Sequence, residues 1–412
     1  MHDFCIGGMT MNAVGIDVSK GKSMITVMRP GKEVVIEPFE VSHTDSELID
    51  LAKVIQSLDG ETRVVMEATG NYHLPIAWML HDAGIYVSVV NAMLIRNYGN
   101  NTIRKGKTDK KDAQKIANYA IDNWTELPQY FPEEDVRMML KNCYRQYEHF
   151  SKIRTMMKNN LISLLDVTFP DANRLFSSPR RADGSEKWLD FIETFWHCQC
   201  VCGLTPAAFT KKYQKWCKKH GYNFSEDKAL DIYASACGHV CVMPKTDDTE
   251  FMMQQAILQL KTVSKTLAAL QQQMQTLAEK LPEYPVVMQL FGVGPILGPQ
   301  LMAEIGDVRR FHSKKVLVAF SGIDAPPCQS GTMEVRSRSI SKRGSSSLRR
   351  TIFLVMSVIL QQKPLDEPVY QFMDKKRAEG KPYKVYMMAS ANKFLRIYYA
   401  TVKAYLDALD AE

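Results

Sequence analysis

The sequence predicts an α/β mixed-sheet unit followed by an all-α remainder. Three observations carry that expectation. Short β-rich runs alternate with helical periods over residues 12–125, a coiled-coil repeat runs from 253 to 281, and residues 282–412 show helical spacing with little strand signal. A chain of 412 residues has room for two or three domains at roughly 150 residues each. The division expected is 12–125, then a helical and coiled-coil region at 132–281 with a cysteine-containing insertion at about 170–245, then a helical domain at 282–412. Hydrophobic residues at 45% and charged residues at 24% exclude a disordered chain. The longest apolar run, TIFLVMSVIL at 351–360, falls short of the roughly 20 residues a membrane span needs. With no basic-then-apolar leader before the first strand, a cytoplasmic location is expected.

In chain order, residues 12–18, 23–28 and 33–37 form three β-rich runs joined by the turn-like SKGK and RPGK, a meander. Leu48, Leu51, Ala52 and Ile55 set a helix over 46–58, ended by Asp59-Gly60. TRVVM at 62–66 is a buried-type strand, 74–82 a helix, IYVSVVN at 85–91 a strand, and 110–121 a helix. The order βββαβαβα is the ribonuclease H-like layout, whose active site lies at the ends of its strands.

Residues 132–169 are helical, and Met138, Met139, Met156 and Met157 read as core. The insertion holds Cys198, Cys200, Cys202, Cys217, Cys237 and Cys241 near His197, His220 and His239. C-x-C-x-C is not the usual zinc knuckle, so buried free thiols are expected, with structural zinc as the alternative. Met253, Ala256, Leu260, Val263, Leu267, Leu270, Met274, Leu277 and Leu281 alternate three and four steps, a coiled-coil seam. A partner subunit is the expected occupant of that seam, and another helix of the same chain the alternative. LFGVGPILGPQLMAEIGD at 290–307 resembles a helix-hairpin-helix that holds a nucleic-acid backbone, and equally fits a tight interhelical turn. FSGIDAPPCQSG at 320–331 must be a loop, and helices are expected at 348–360 and 384–409.

The formal charge of +7 is mild, but the cations cluster. Arg104, Lys105, Lys107, Lys110 and Lys111 form one group, and Arg336, Arg338, Lys342, Arg343, Arg349 and Arg350 another, the pattern of a polyanion-binding surface. Asp17 ends the first strand in GIDVSK, and Glu67 ends the fourth in VVMEATG. Asp109 and Asp112, three apart at a helix start in KTDKKDA, share one helix face. Four carboxylates brought together repel unless cations join them, and hard oxygen donors suit Mg²⁺ or Mn²⁺. A metal pair in such a site serves in-line attack on a phosphodiester.

GIDVSK, MEATGNY and KTDKKDA, followed by GVGPILGPQLMAEIGD, SGIDAPPCQSG and ISKRGSSSLRR, resemble the DEDD transposases of insertion-sequence family one-ten. The resemblance covers the first 125 residues and about 285–400, in the family's order. It implies a RuvC-like domain, a C-terminal transposase domain and a coiled coil between them. It also implies a multimer on donor and target DNA, at least a dimer and expected to be a tetramer, and a structured noncoding (bridge) RNA that pairs with both DNAs. The acidic quartet becomes Asp17, Glu67, Asp109 and Asp112, both metal-binding and catalytic, and the catalytic serine becomes Ser330 in QSG. A serine hydroxyl needs a nearby base or metal to attack, and Arg336, Arg338 and Arg343 would steady phosphate oxygens. Ser321, Ser337 and Ser339 are its neighbours in sequence, and Pro326-Pro327-Cys328 departs from the polar residues that relatives carry before the serine.

Three other readings compete. A RuvC-like junction-resolving nuclease would hydrolyse with water and need no serine. A sugar-kinase-like fold would need a second glycine-rich phosphate loop, which the sequence lacks. An inactive nucleic-acid-binding relative would have no reason to keep four acids and Ser330.

Overall fold

The computed structural model describes residues 10–98, 108–179, 181, 184–325 and 339–411, and the backbone of 329–330 and 333–334. Two compact units divide the chain, residues 1–133 and 134–412.

In the first unit, β1 (Met11–Ser19), β2 (Lys22–Arg29) and β3 (Glu33–Ser42) form an antiparallel meander. Gly21, at φ 76°, supplies the left-handed residue that the tight β1–β2 turn requires. β3 extends past the expected 33–37 because it is an edge strand, where Pro38 costs no internal ladder bond and register shifts against β2 absorb the irregularity. After α1 (Asp45–Gln56), β4 (Glu61–Glu67) pairs parallel to β1. After α2 (Leu74–Asp82), β5 (Tyr86–Val90) pairs parallel to β4. The short α3 (Ala92–Asn97) and then α4 (Asp109–Asp122) follow.

The strand order β3-β2-β1-β4-β5 is the ribonuclease H-like mixed sheet. One face of the sheet, through Val14, Ile16, Val64 and Met66, buries Leu48 and Leu51 of α1 and Ile76 and Leu80 of α2. The other face, through Met11, Ala13 and Val65, buries Ile116, Ala117 and Ala120 of α4. Covered on both sides, β1 and β4 have near-continuous apolar sequences rather than alternating ones.

The second unit opens with α5 (Asp135–Thr168), where Met138, Met139 and Met156, expected in the core, are exposed because they face away from the helix that returns along it, and only Met157 is partly buried. α6 (Lys187–Thr194), α7 (Gln199–Cys202), α8 (Pro206–His220) and α9 (Glu226–Gly238) then form the insertion. The insertion has an aromatic core of Phe191, Phe195, Phe209, Tyr213 and Trp216, completed by Leu161 and Leu165 of α5. α10 (Asp247–Ala278) returns antiparallel along α5, since Cys143 reaches the Leu270 carbonyl, Arg154 bonds Ser264 and Thr168 meets Met253.

This pairing corrects the expectation of a partner subunit on the seam. Met253, Leu260, Val263, Leu267, Met274 and Leu277 are buried within the chain itself, so the regular repeat is satisfied without a second copy. The expectation of free thiols is corrected at one pair: Cys198 and Cys241 are joined as a disulfide. Cys143, Cys200, Cys202, Cys217 and Cys237 are free.

The remaining helices are α11 (Tyr284–Met288), α12 (Leu297–Ile305), α13 (Lys314–Ser321), α14 (Ser346–Gln362), α15 (Pro368–Ala378) and α16 (Tyr383–Leu409). Their core gathers Leu301, Ile305, Leu317, Ile352, Val355, Phe394 and Tyr398. In the glycine-rich turn ahead of α12, Gly292 lies at φ 79° against Ile359, and in the first turn of α12 Gly298 lies against Met288. These two glycines serve packing. Among the described residues, no helix is long and apolar enough to cross a membrane.

Candidate active site

Strand register places the first pair of acids. In the parallel β1–β4 ladder Ile16 lies opposite Met66, so Asp17 and Glu67 occupy the next rung and share a face. That face is the one α4 covers. Gly15, two residues before Asp17, has no room for a side chain, because a β-carbon there would lie 2.3 Å from the Ala113 carbonyl and 2.8 Å from Ala117 Cβ. Glycine therefore allows α4 to lie directly on β1.

Helix direction places the second pair. Ala113 and Ala117 both sit over Gly15, and one residue further on the Asn118 amide reaches the sulfur of Met28, which pairs with Ala13, at 3.7 Å, so α4 runs opposite to β1 with its N-terminus at the Asp17 end. Asp109 is four residues back from Ala113, about 6 Å along a helix. Asp17 is two residues on from Gly15, about 6.6 Å along a strand. The two displacements match, which brings Asp109 and Asp112 to the end of the sheet that carries Asp17 and Glu67. An independent sign is Lys22, at the start of β2. Its ammonium is held above its usual value mainly by Glu40, at 2.7 Å, and further by the charge of Asp109.

Thr108 caps α4, its side chain accepting from the Lys111 N–H, and the helix N-terminus favours carboxylates in its first turn. Asp17, Glu67 and Asp112 are half-buried and Asp109 is exposed. The Thr69 hydroxyl donates to Glu67 Oε1 at 3.4 Å. Carboxylates at a solvent-accessible sheet end are donors that suit Mg²⁺ or Mn²⁺, but among the described residues Asp17, Glu67, Asp109 and Asp112 do not close into a cluster of three or more metal-ligand atoms. Lys110 and Lys111 are exposed on the same helix turn, while Arg104, Lys105 and Lys107 lie outside the described residues.

The serine loop belongs to the second unit, and its two stems are tied together. Ser341 N–H donates to the Asp324 carbonyl at 2.8 Å, Lys342 N–H to Gly322 at 3.0 Å and Ser345 N–H to Phe320 at 2.7 Å, and the Ser341 hydroxyl bonds the Asp324 carboxylate. Gly322 ends α13 at φ 66°, and a β-carbon on Gly344 would lie 2.2 Å from the Phe320 carbonyl, so both glycines are needed where the stems cross. Above the stems, Ser330 lies in a two-residue strand β6 (Gln329–Ser330), opposite Met333 of β7 (Met333–Glu334). Of its neighbours, Ser321 is buried and its hydroxyl donates to the Val318 carbonyl at 2.7 Å, which leaves it no nucleophilic part. Ser337, Arg336 and Arg338 lie outside the described residues.

Beside the stems opens a cavity of about 1130 Å³. Six cations line it: Lys342, Arg349, Arg350, Lys384, Lys393 and Arg396. Ile323, Phe353 and Met388 add apolar lining, Ser339 contributes a hydroxyl, and no carboxylate stands among the described lining residues. Arg349 is fixed by donating to the Ser321 carbonyl at 3.0 Å. Arg343 is exposed on the stem. Sequence clustering found Lys342, Arg349 and Arg350. It missed Lys384, Lys393 and Arg396, which are spread among apolar residues of α16 and become neighbours of the others only through packing.

The fold is that of a ribonuclease H-like α/β unit with carboxylates at its strand ends, accompanied by a helical unit with a basic cavity. Two family models match the chain: a DEDD transposase model of the IS110 type over residues 14–170, and "Transposase IS116/IS110/IS902 family" over 284–371. Together they span more than half of it, and the chain belongs to the IS110 family of transposases. It is 21% identical over 394 residues to the insertion element IS110 uncharacterized 43.6 kDa protein of Streptomyces coelicolor, covering 95% of this chain and 93% of that protein. It is 23% identical over 345 residues to the pilin gene-inverting protein of Moraxella bovis, covering 82% of this chain and 80% of that protein. Among solved structures, T. thermophilus RuvC in complex with a Holliday junction substrate aligns over 29% of this chain and 99% of its own, with 13% identity and a TM-score of 0.23. The protein is thus a transposase, an enzyme that recombines DNA.

Proposed function

We propose that this transposase moves its own insertion sequence by cutting and rejoining DNA through a covalent phosphoserine at Ser330, with Asp17, Glu67, Asp109 and Asp112 as the metal-binding acids. The observation that carries the reading is the shared rung of Asp17 and Glu67 beneath the N-terminus of α4. Mg²⁺ or Mn²⁺ bound by these carboxylates would supply the positive charge that makes an oxygen nucleophilic and stabilises the departing one. The Ser330 hydroxyl attacks phosphorus, its proton passes to a carboxylate, the Oγ–P bond forms, and the P–O bond to the departing strand breaks. The energy of the broken phosphodiester is kept in the new ester, so rejoining needs no external ATP.

Lys342, Arg343, Arg349 and Arg350, joined by Lys384, Lys393 and Arg396, hold phosphate oxygens near the serine loop. Arg104, Lys105, Lys107, Lys110 and Lys111 would extend the contact to backbone phosphates beside the acidic group, as would Arg336 and Arg338 beside the serine. Target choice rests with a structured noncoding RNA that pairs with donor and target DNA, and the protein acts as a multimer on DNA.

The test is adduct trapping on a nicked donor DNA with Mg²⁺ present. Wild type should give a protein–DNA adduct that survives denaturation and maps by mass spectrometry to Ser330, and Ser330→Ala should give neither adduct nor strand exchange. Strand cleavage undiminished in Ser330→Ala would instead establish hydrolysis by water. Sequencing of copurifying RNA tests the guide: a single structured species matching the DNA that flanks the gene is expected, and random cellular RNA would remove the RNA from the scheme.

A further inference from the structure

The insertion brings together a second set of donors that transposition chemistry does not use. His197, Cys198 and Cys241 converge so that one ring nitrogen and two sulfurs all lie within 4.8 Å of one another, the first two residues buried and Cys241 half-buried. Three strands of chain are fastened there. Cys198 N–H donates to the Thr168 carbonyl at the end of α5 at 3.0 Å, and Val242 and Met243 N–H donate to Val167 at 3.1 and 3.0 Å. The site thus joins the start of α7 to the segment that leads into α10, 43 residues further along the chain.

The histidine ring is oriented as a ligand. Its Nε2 lies 2.9 Å from the Met243 carbonyl, which only accepts, so Nε2 carries the proton. Nδ1 accepts from the Gln199 N–H at 3.1 Å and lies 3.7 Å from Cys198 Sγ, so an ion bound at Nδ1 takes over the lone pair that Gln199 holds in the structure. A ring N–H held by a carbonyl while the other nitrogen faces thiols is the arrangement that fixes metal-binding histidines. The Cα atoms of Cys198 and Cys241 are 7.0 Å apart, at the outer edge of what a disulfide spans and comfortable for two thiolates on one ion.

We propose that His197, Cys198 and Cys241 form a zinc site that clasps the insertion onto the paired helices. The cysteines bind in their reduced form: a cellular thiol reductant supplies the two electrons and two protons that open the S–S bond between them, each Sγ–H then releases its proton to solvent as its Zn–S bond forms, and Nδ1 gives the third bond. Water takes the fourth position, on the side where Cys241 is open to solvent. Only the compartment is taken from the family assignment: a transposase works on cellular DNA, where thiols are kept reduced and disulfides are rare. Metal content and strand exchange are read separately, so either result stands without the other.

The test measures zinc in full-length protein purified under reducing conditions without chelator. Wild type should carry one Zn²⁺ per chain, released when a mercurial titrates the thiols. Co²⁺ in its place should show thiolate-to-cobalt charge transfer. Cys241→Ser should lose the metal, His197→Gln should weaken its retention by at least about tenfold, and Cys143→Ser should keep it. Because Cys241→Ser could fail to fold, the wild-type measurement decides on its own. Three results would overturn the site: wild type that stays metal-free when reduced and supplied with Zn²⁺, peptide mapping of freshly lysed cells that finds Cys198 and Cys241 crosslinked, or metal lost from Cys202→Ser but retained in Cys241→Ser.

Discussion

The first unit gathers carboxylates where strands end, whereas the second gathers ammonium and guanidinium groups around a cavity, and the two arrangements depend on sequence in different ways. Strand register puts Asp17 and Glu67 on one rung, and one glycine contact sets the helix that begins with Asp109 and Asp112. The cations come from a loop stem, from α14 and from α16, which only tertiary packing brings together. A rigid sheet end suits chemistry that tolerates little displacement, while a broad basic lining suits a polyanion held at many points. Under the proposed roles, the comparison teaches that reaction and grip can be disabled one at a time.

The strongest test of that separation is Asp17→Asn. Single-turnover cleavage should fall by on the order of a thousandfold, about 4 kcal/mol of barrier, while gel-shift affinity for DNA stays near wild type. An equal loss of both would break the division between the units. Gly15→Ala should destabilise the first unit by at least about 1–3 kcal/mol in urea denaturation, because backbone rather than a pliable side chain occupies the space. A smaller, purely electrostatic effect is expected of Arg350→Ala with Arg396→Ala. Affinity should fall with little dependence on sequence, and the slope of log K against log salt should flatten by about 0.9 for each duplex phosphate that is no longer neutralised. Smallest is Ser341→Ala, which removes the hydroxyl bond to Asp324 and should cost about 0.5–1.5 kcal/mol. Its readout is faster proteolysis of the serine loop with the rest of the unit intact.

Much of the first unit is legible in the chain because its signals are local. Alternating and continuous apolar runs locate five strands to within a few residues at most ends, and an acid at the end of β1 and of β4 marks the site without any knowledge of register. α3 escapes such reading because it is six residues long with one buried side chain, Ile95, and so has no period to detect. α15 escapes for a related reason, since only Val369, Tyr370 and Met373 are buried in an otherwise polar stretch. The repeat in α10 correctly announces a seam, yet the expected partner is wrong. Periodicity says that a helix face will be covered and is silent on which chain covers it. The six-cation lining is half legible, because linear clustering reports neighbours in sequence and α16 contributes its cations one at a time.

An antiparallel pair of helices closed by its own chain has the properties of a telescoping arm. Removing or adding the same number of turns from α5 and α10 preserves their register and leaves both ends of the arm untouched. The aromatic tip can therefore travel nearer to or farther from the rest of the second unit by insertion and deletion alone, with no residue of the acidic group or the basic cavity having to change.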